Sequence, residues 1–210
     1  MKTSFTKIHQ ERKIFQNTNK NTDHIITLGN NNILLSAPHG VSQVRLGKYK
    51  HSEIGSIATA LFLQNQTNCN LIAKTQNNND DANFDEQSKY KDTIKKLIKN
   101  NNIKYLIDIH GLAENRDCDI NLGTHLGKNI ITNNEIFNEL LKILNENNFK
   151  VSIDQPYMAG SHTLSGSINQ EFNIWTLQIE INCAITNKKE NFSKYKSLLY
   201  CLKEWIKKIK

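Results

Sequence analysis

The sequence predicts an α/β fold, and two patterns carry that prediction. Short apolar runs of strand length alternate along the chain with amphipathic stretches of helix length, and no internal repeat or domain linker interrupts them. Such alternation favours helices packed on a largely parallel or mixed sheet, so residues 1–210 are read as one domain.

The elements follow in order. Residues 24–28 and 32–37 read as strands, and Gly29 with the asparagines after it predicts a hairpin turn between them. Residues 54–64 read as a helix capped by Ser52, residues 71–75 as a strand and residues 76–81 as a polar loop. Residues 85–99 read as a helix with Tyr90, Ile94, Leu97 and Ile98 on one face. Strands are expected at 105–109, 120–122, 151–153 and 175–181. Residues 134–147 and 188–209 read as helices, and the Pro/Gly/Ser-rich stretch 155–167 as a loop.

Composition narrows the class. An apolar share of 38% is low, but clear strands and helices remain, which argues against disorder. The net charge of +7 comes mostly from dispersed lysines. Lys203, Lys207, Lys208 and Lys210 form a cluster on a helix whose other face carries Leu199, Leu202, Trp205, Ile206 and Ile209. That pattern describes a solvated helix face better than a nucleic-acid stripe. The four cysteines show no CxxC pairing, which argues against a disulfide framework and a Cys-rich zinc site. Residues 1–10 are polar and no apolar run has the length of a membrane span, so a cytoplasmic protein is expected.

Four segments bring candidate chemistry to strand ends or a helix start, where open α/β sheets gather their ligands. In Ser36-Ala37-Pro38-His39-Gly40 a strand delivers His39, and the glycine allows close approach; a plain hydrogen-bonding role is the alternative. Glu53 opens a helix, where it is either a dipole-stabilised cap or a metal ligand, with His51 as a rival ligand. In Asp108-Ile109-His110-Gly111, Asp108 shares a strand face with His110 and can accept the spare N–H of a metal-bound ring; pairing with a lysine is the alternative. Gln178, Glu180 and Asn182 share one face of an otherwise apolar strand. A carboxylate there calls for a salt bridge or a metal, and beside zinc Glu180 suits a general base. Two imidazoles and one carboxylate leave zinc an open position for water.

In this order the segments resemble the N-formylglutamate amidohydrolase family, whose members are similar in fold and metal chemistry to zinc carboxypeptidases and aspartoacylases. The resemblance is carried by Ala37-Pro38-His39-Gly40, Glu53, Asp81-Ala82-Asn83, Asp108-Ile109-His110-Gly111, Asn121-Leu122-Gly123-Thr124, Pro156 with Gly160, and Gln178-Ile179-Glu180-Ile181-Asn182. It implies a three-layer α/β/α sandwich with a mixed sheet, of the phosphorylase/hydrolase-like, zinc-peptidase type. It implies His39, Glu53 and His110 as ligands of one zinc ion per chain, and Glu180 as general acid/base. Asp81 and Asn83 would lie along the substrate, a small acylated amino acid or peptide. Members often carry Arg directly after this Asn; this chain has Phe84, leaving Arg45 and Arg116 to steady the oxyanion or a substrate carboxylate. His162 and Thr163, in the loop after Tyr157, are expected to shape the pocket. The expected activity is therefore zinc-dependent cleavage of an amide bond in an N-acyl amino acid or small peptide. The rival readings are a zinc carboxypeptidase, a poly-γ-glutamate hydrolase, and a metal-free basic module that binds nucleic acid.

Overall fold

The computed structural model describes residues 22–209. A seven-stranded sheet runs in the order β1 (His24–Thr27), β5 (Asn70–Lys74), β2 (Ile33–Ala37), β6 (Tyr105–Leu112), β9 (Trp175–Asn182), β7 (Ile120–Gly123), β8 (Val151–Ile153). The four central strands β5, β2, β6 and β9 are parallel. Strand β1 joins one side antiparallel, and β7 joins the other side antiparallel to β9. The sheet is therefore mixed. A separate two-stranded ribbon pairs β3 (Gln43–Arg45) with β4 (Lys48–Lys50).

Alternation along the central strands sorts their side chains between two layers. Leu35, Ile107, Ile109, Leu177 and Ile179 face a core built with α1 (Ile54–Thr67), α3 (Asn134–Glu146) and α6 (Phe192–Ile206). Leu34, Ile72 and Leu106 face the other way, against α2 (Lys89–Asn100) and α4 (Leu164–Phe172). Helices thus cover both faces, giving the expected α/β/α sandwich. A short α5 (Cys183–Asn187) and a 3₁₀ turn (Lys189–Asn191) precede α6.

Several boundaries differ from the sequence reading, each for a local reason. Strands β1 and β2 do not form a hairpin, because β5 lies between them and pairs with both. Gly29 instead passes against the chain at 68–69, where an added Cβ would stand 2.0 Å from the Asn68 carbonyl oxygen. Helix α1 begins one residue after Glu53, which occupies the cap position in place of Ser52 and makes no side-chain capping bond. Helix α2 starts later than expected, at Lys89, because Asp85 closes a turn with Asp81 through two hydrogen bonds. The stretch 155–167 is not all loop: Thr163 caps α4, its hydroxyl accepting from the Gly166 N–H, a bond worth about 1 kcal/mol. The expected single helix over 188–209 is instead the 3₁₀ turn followed by α6.

On α6 the apolar residues Leu199, Leu202, Trp205 and Ile206, and Ile209 just beyond it, are buried. Lys203 and Lys207 pair with Glu204, and Lys208 pairs with Glu139, as on a solvated face; Lys210 lies outside the described residues. No helix among the described residues is long and apolar enough to cross a membrane.

Candidate active site

Three strands and one helix start converge at the C-terminal end of the parallel strands. His39 follows β2, His110 lies near the end of β6, and Glu53 stands at the head of α1. Their ligating atoms all fall within 4.8 Å of one another. The Nδ1 atoms of the two rings are 3.1 Å apart, and Glu53 places Oε1 2.8 Å from His39 Nδ1 and Oε2 3.3 Å from His110 Nδ1. Two nitrogens bound to one tetrahedral zinc at about 2.0–2.1 Å stand roughly 3.3 Å apart, which matches this spacing.

The outer nitrogens of both rings are fixed by carboxylates. Asp81 Oδ1 lies 2.8 Å from His39 Nε2, and Asp108 Oδ2 lies 3.0 Å from His110 Nε2. A carboxylate only accepts, so each of these nitrogens carries hydrogen and directs the Nδ1 lone pair inward. Three acceptors then face one point, and only a positive charge relieves them: a proton or a metal ion. The same demand governs their ionisation. Burial disfavours the charged form of His39 and of His110, yet the Glu53 charge raises the first and the Asp108 charge raises the second well above the usual histidine range. Burial would raise Glu53 too, but the facing imidazoles hold it far below the usual carboxylate range. The donor set, its spacing and its carboxylate backing fit a divalent metal.

Glycine makes this geometry possible. The Gly111 N–H donates to Glu53 Oε2 at 2.8 Å, and a Cβ on residue 111 would stand 3.0 Å from Glu53 Cβ and 3.1 Å from Cys183 Sγ. Glu53 gives up helix capping because its carboxylate is turned onto the two histidines.

Strand register supplies the next group. Glu180 is the direct partner of His110 across β6 and β9, and Gln178 is the partner of Asp108. Gln178 Nε2 donates to Glu180 Oε1 at 2.7 Å. Burial pushes the Glu180 carboxyl up to about 7. Asn182, on the same face, does structural work: its Nδ2 donates to the Cys118 carbonyl at 3.0 Å and its Oδ1 caps α5.

A cleft of about 300 Å³ opens over these groups, lined by His39, Glu53, His110 and Glu180 together with Arg45, Asn83, Phe84, His162 and Thr163. Arg45, Asn83, His162 and Thr163 line the cleft as expected, whereas Asp81, Arg116 and His51 do not. Asp81 is fully buried behind His39 and bonds to Arg45 Nε at 2.7 Å, so it holds these two side chains and is not part of the cleft lining. Arg116 is exposed in another groove with Asp117 and Lys150, away from this cleft. His51 is exposed and meets Tyr49 edge-on, outside the ligand cluster. Thr163 lines the cleft with a hydroxyl already engaged by the Gly160 carbonyl and the Gly166 N–H. Asn83 reaches the wall with Oδ1 accepting from the Leu164 N–H at 2.8 Å.

Sequence reasoning missed Lys50, which also lines the cleft. The ribbon register explains it: Gln43, Arg45, Lys48 and Lys50 share one face, and of these Arg45 and Lys50 reach the cleft. The Leu46-Gly47 turn between two alternating triplets was the available signal, since both residues sit at positive φ as hairpin turns require.

The chain is an α/β/α sandwich in which two buried histidines and the partly buried Glu53 bring their ligating atoms close enough to hold a metal. Compared with protein-family models the sequence matches none, and it matches no curated protein. Solved structures do share its fold. Gene product Atu2144 from Agrobacterium tumefaciens superposes with a TM-score of 0.64 at 12% identity, over 89% of this chain and 92% of that one. N-formylglutamate amidohydrolase from Ralstonia eutropha gives 0.61 at 13% identity, over 89% and 96%. A bacteriophage poly-γ-glutamate hydrolase gives 0.54 at 16% identity, over 90% and 89%.

Proposed function

We propose that the chain is a zinc-dependent hydrolase of the N-formylglutamate amidohydrolase type, cleaving an amide bond in an N-acyl amino acid or small peptide. The observation that carries this reading is the convergence of His39, Glu53 and His110 on one point with Glu180 beside them. The resemblance of fold to an N-formylglutamate amidohydrolase and to a poly-γ-glutamate hydrolase supports it.

His39, Glu53 and His110 would hold the metal, and imidazole with carboxylate is a donor set that suits zinc. When bound, zinc supplies Lewis acidity toward the scissile carbonyl and the attacking water. The chain's own residues do the rest. Gln178 fixes Glu180 Oε1, leaving Oε2 to take a proton from water as the new C–O bond forms. Glu180 then passes that proton to the amide nitrogen as the C–N bond breaks, releasing the amine. Burial raises this carboxyl above the ordinary glutamate range and a bound cation draws it back down, which keeps Glu180 able both to accept and to return the proton. Arg45 keeps its terminal nitrogens for a substrate carboxylate, since Nε alone is committed to Asp81.

The testing experiment is Glu180→Gln. The variant should retain its metal and lose about 10²–10⁴ of its turnover on acyl amino acids. A variant that hydrolyses them at the wild-type rate contradicts the base assignment. A panel of formyl-, acetyl- and γ-glutamyl substrates separates the acyl-amino-acid reading from the peptidase one.

A further inference from the structure

The cleft has two unlike walls. One is the inner face of the β3–β4 ribbon, which brings Arg45 and Lys50 to the same side. The other is the segment Pro156, Tyr157, Met158 and Ala159, which carries no charge. Phe84 lies between them: the Arg45 guanidinium carbon is 4.9 Å from its ring centroid, and the His162 ring meets it at 6.4 Å. This phenyl group fills the junction of the walls with apolar surface.

The apolar wall is built, not incidental. Tyr157 is 42% exposed and Met158 38%, yet the backbone beneath them is tied down. The Tyr157 N–H donates to Asn121 Oδ1, Asn121 Nδ2 donates to the Gln155 carbonyl, and the Met158 carbonyl accepts from the His125 N–H at 2.6 Å. Strand β7 and the turn after it thus hold Tyr157 and Met158 beside the cleft, where the phenol ring face and the thioether chain offer apolar surface that an apolar ligand group covers.

We infer that this site selects an amphiphilic amide: an N-acyl amino acid whose single carboxylate meets Arg45 and whose aromatic or aliphatic side chain packs on Phe84, Tyr157 and Met158. The inference rests on the hydrolase reading above and narrows it. Both cleft cations stand on one wall, so one end of the ligand is anionic. A second carboxylate directed at the opposite wall would lose its water and meet no charged side chain along residues 156–159. A dicarboxylic amino acid is therefore the poorer ligand.

The test is calorimetric binding to the metal-loaded Glu180→Gln variant, which holds substrate without turning it over. N-acetyl-L-phenylalanine should bind about 10-fold or more tightly than N-acetyl-L-glutamate. Phe84→Arg should narrow or reverse that preference, and Tyr157→Ala should weaken the phenylalanine ligand while leaving the glutamate ligand nearly unchanged. Equal or tighter binding of N-acetylglutamate, or binding of neither compound, overturns the inference. Wild-type turnover separates the two levels of the account. If the phenylalanine derivative binds with the expected preference but is never cleaved, the hydrolase reading fails and the selectivity stands. If the glutamate derivative is cleaved in preference, the selectivity fails and the hydrolase reading stands.

Discussion

His39 and His110 are 71 positions apart in the chain, yet their Nδ1 atoms stand 3.1 Å from each other, each ring backed by its own buried aspartate. Asp81 and Asp108 therefore orient the inner lone pairs and raise the basicity of both rings. Asp81→Asn and Asp108→Asn should each weaken metal affinity about 10–100-fold while leaving the chain folded. Competition against a chromophoric chelator measures this, and unchanged affinity in both variants would show that the aspartates do not support the ligands.

On the proposed mechanism Glu180 should carry the pH dependence. Burial raises its carboxyl to about 7 in the metal-free chain, so the protonated form persists well above the ordinary range of a glutamate. A general base must be ionised, so kcat/KM should fall as pH drops through this group's pKa, and a bound cation moves that limb to lower pH. The acid limb should be absent from the residual activity of Glu180→Gln. A limb that survives the substitution unchanged belongs to another group.

Much of the site was legible because strand alternation is a strict code. Once residues 105–109 and 175–181 read as strands, Asp108 with His110, and Gln178 with Glu180, had to share faces, and the parallel register then sets His110 beside Glu180. The two histidines announce themselves by standing at strand ends before glycines. What sequence could not convey was order across the sheet. The turn at Gly29 looks the same whether the next strand pairs directly or, as here, leaves room for β5. The family resemblance sets Asp81 and Asn83 together along the substrate, yet of the two only Asn83 lines the cleft. Two residues of loop turn one side chain inward and set the other in the cleft wall, and no periodicity foretells that in a loop. Helix α4 was hidden by its Gly and Ser content, although Leu164, Ile168 and Phe172 keep a helical spacing behind the Thr163 cap.

Lys74 explains how the loop before Asp81 is fixed. Its ammonium group is buried at the end of β5, paired with Asp80 and lying 3.3 Å from Asp23 Oδ2. Lys74→Met should destabilise the fold by about 2–4 kcal/mol, because it takes the ammonium partner from the partly buried Asp80 and leaves the buried Asp23 with His24 and Asn78 alone. A urea titration reads this from the shift in midpoint at constant slope. A loss below about 1 kcal/mol would mean that this ion pair is replaceable by water.

The central claim is that His39, Glu53 and His110 share one divalent ion. Elemental analysis of the purified wild-type protein beside His110→Ala tests it most directly. The account predicts about one zinc per wild-type chain and near-complete loss in the variant; a metal-free wild type under metal-replete conditions, or a variant that retains the full complement, would contradict it.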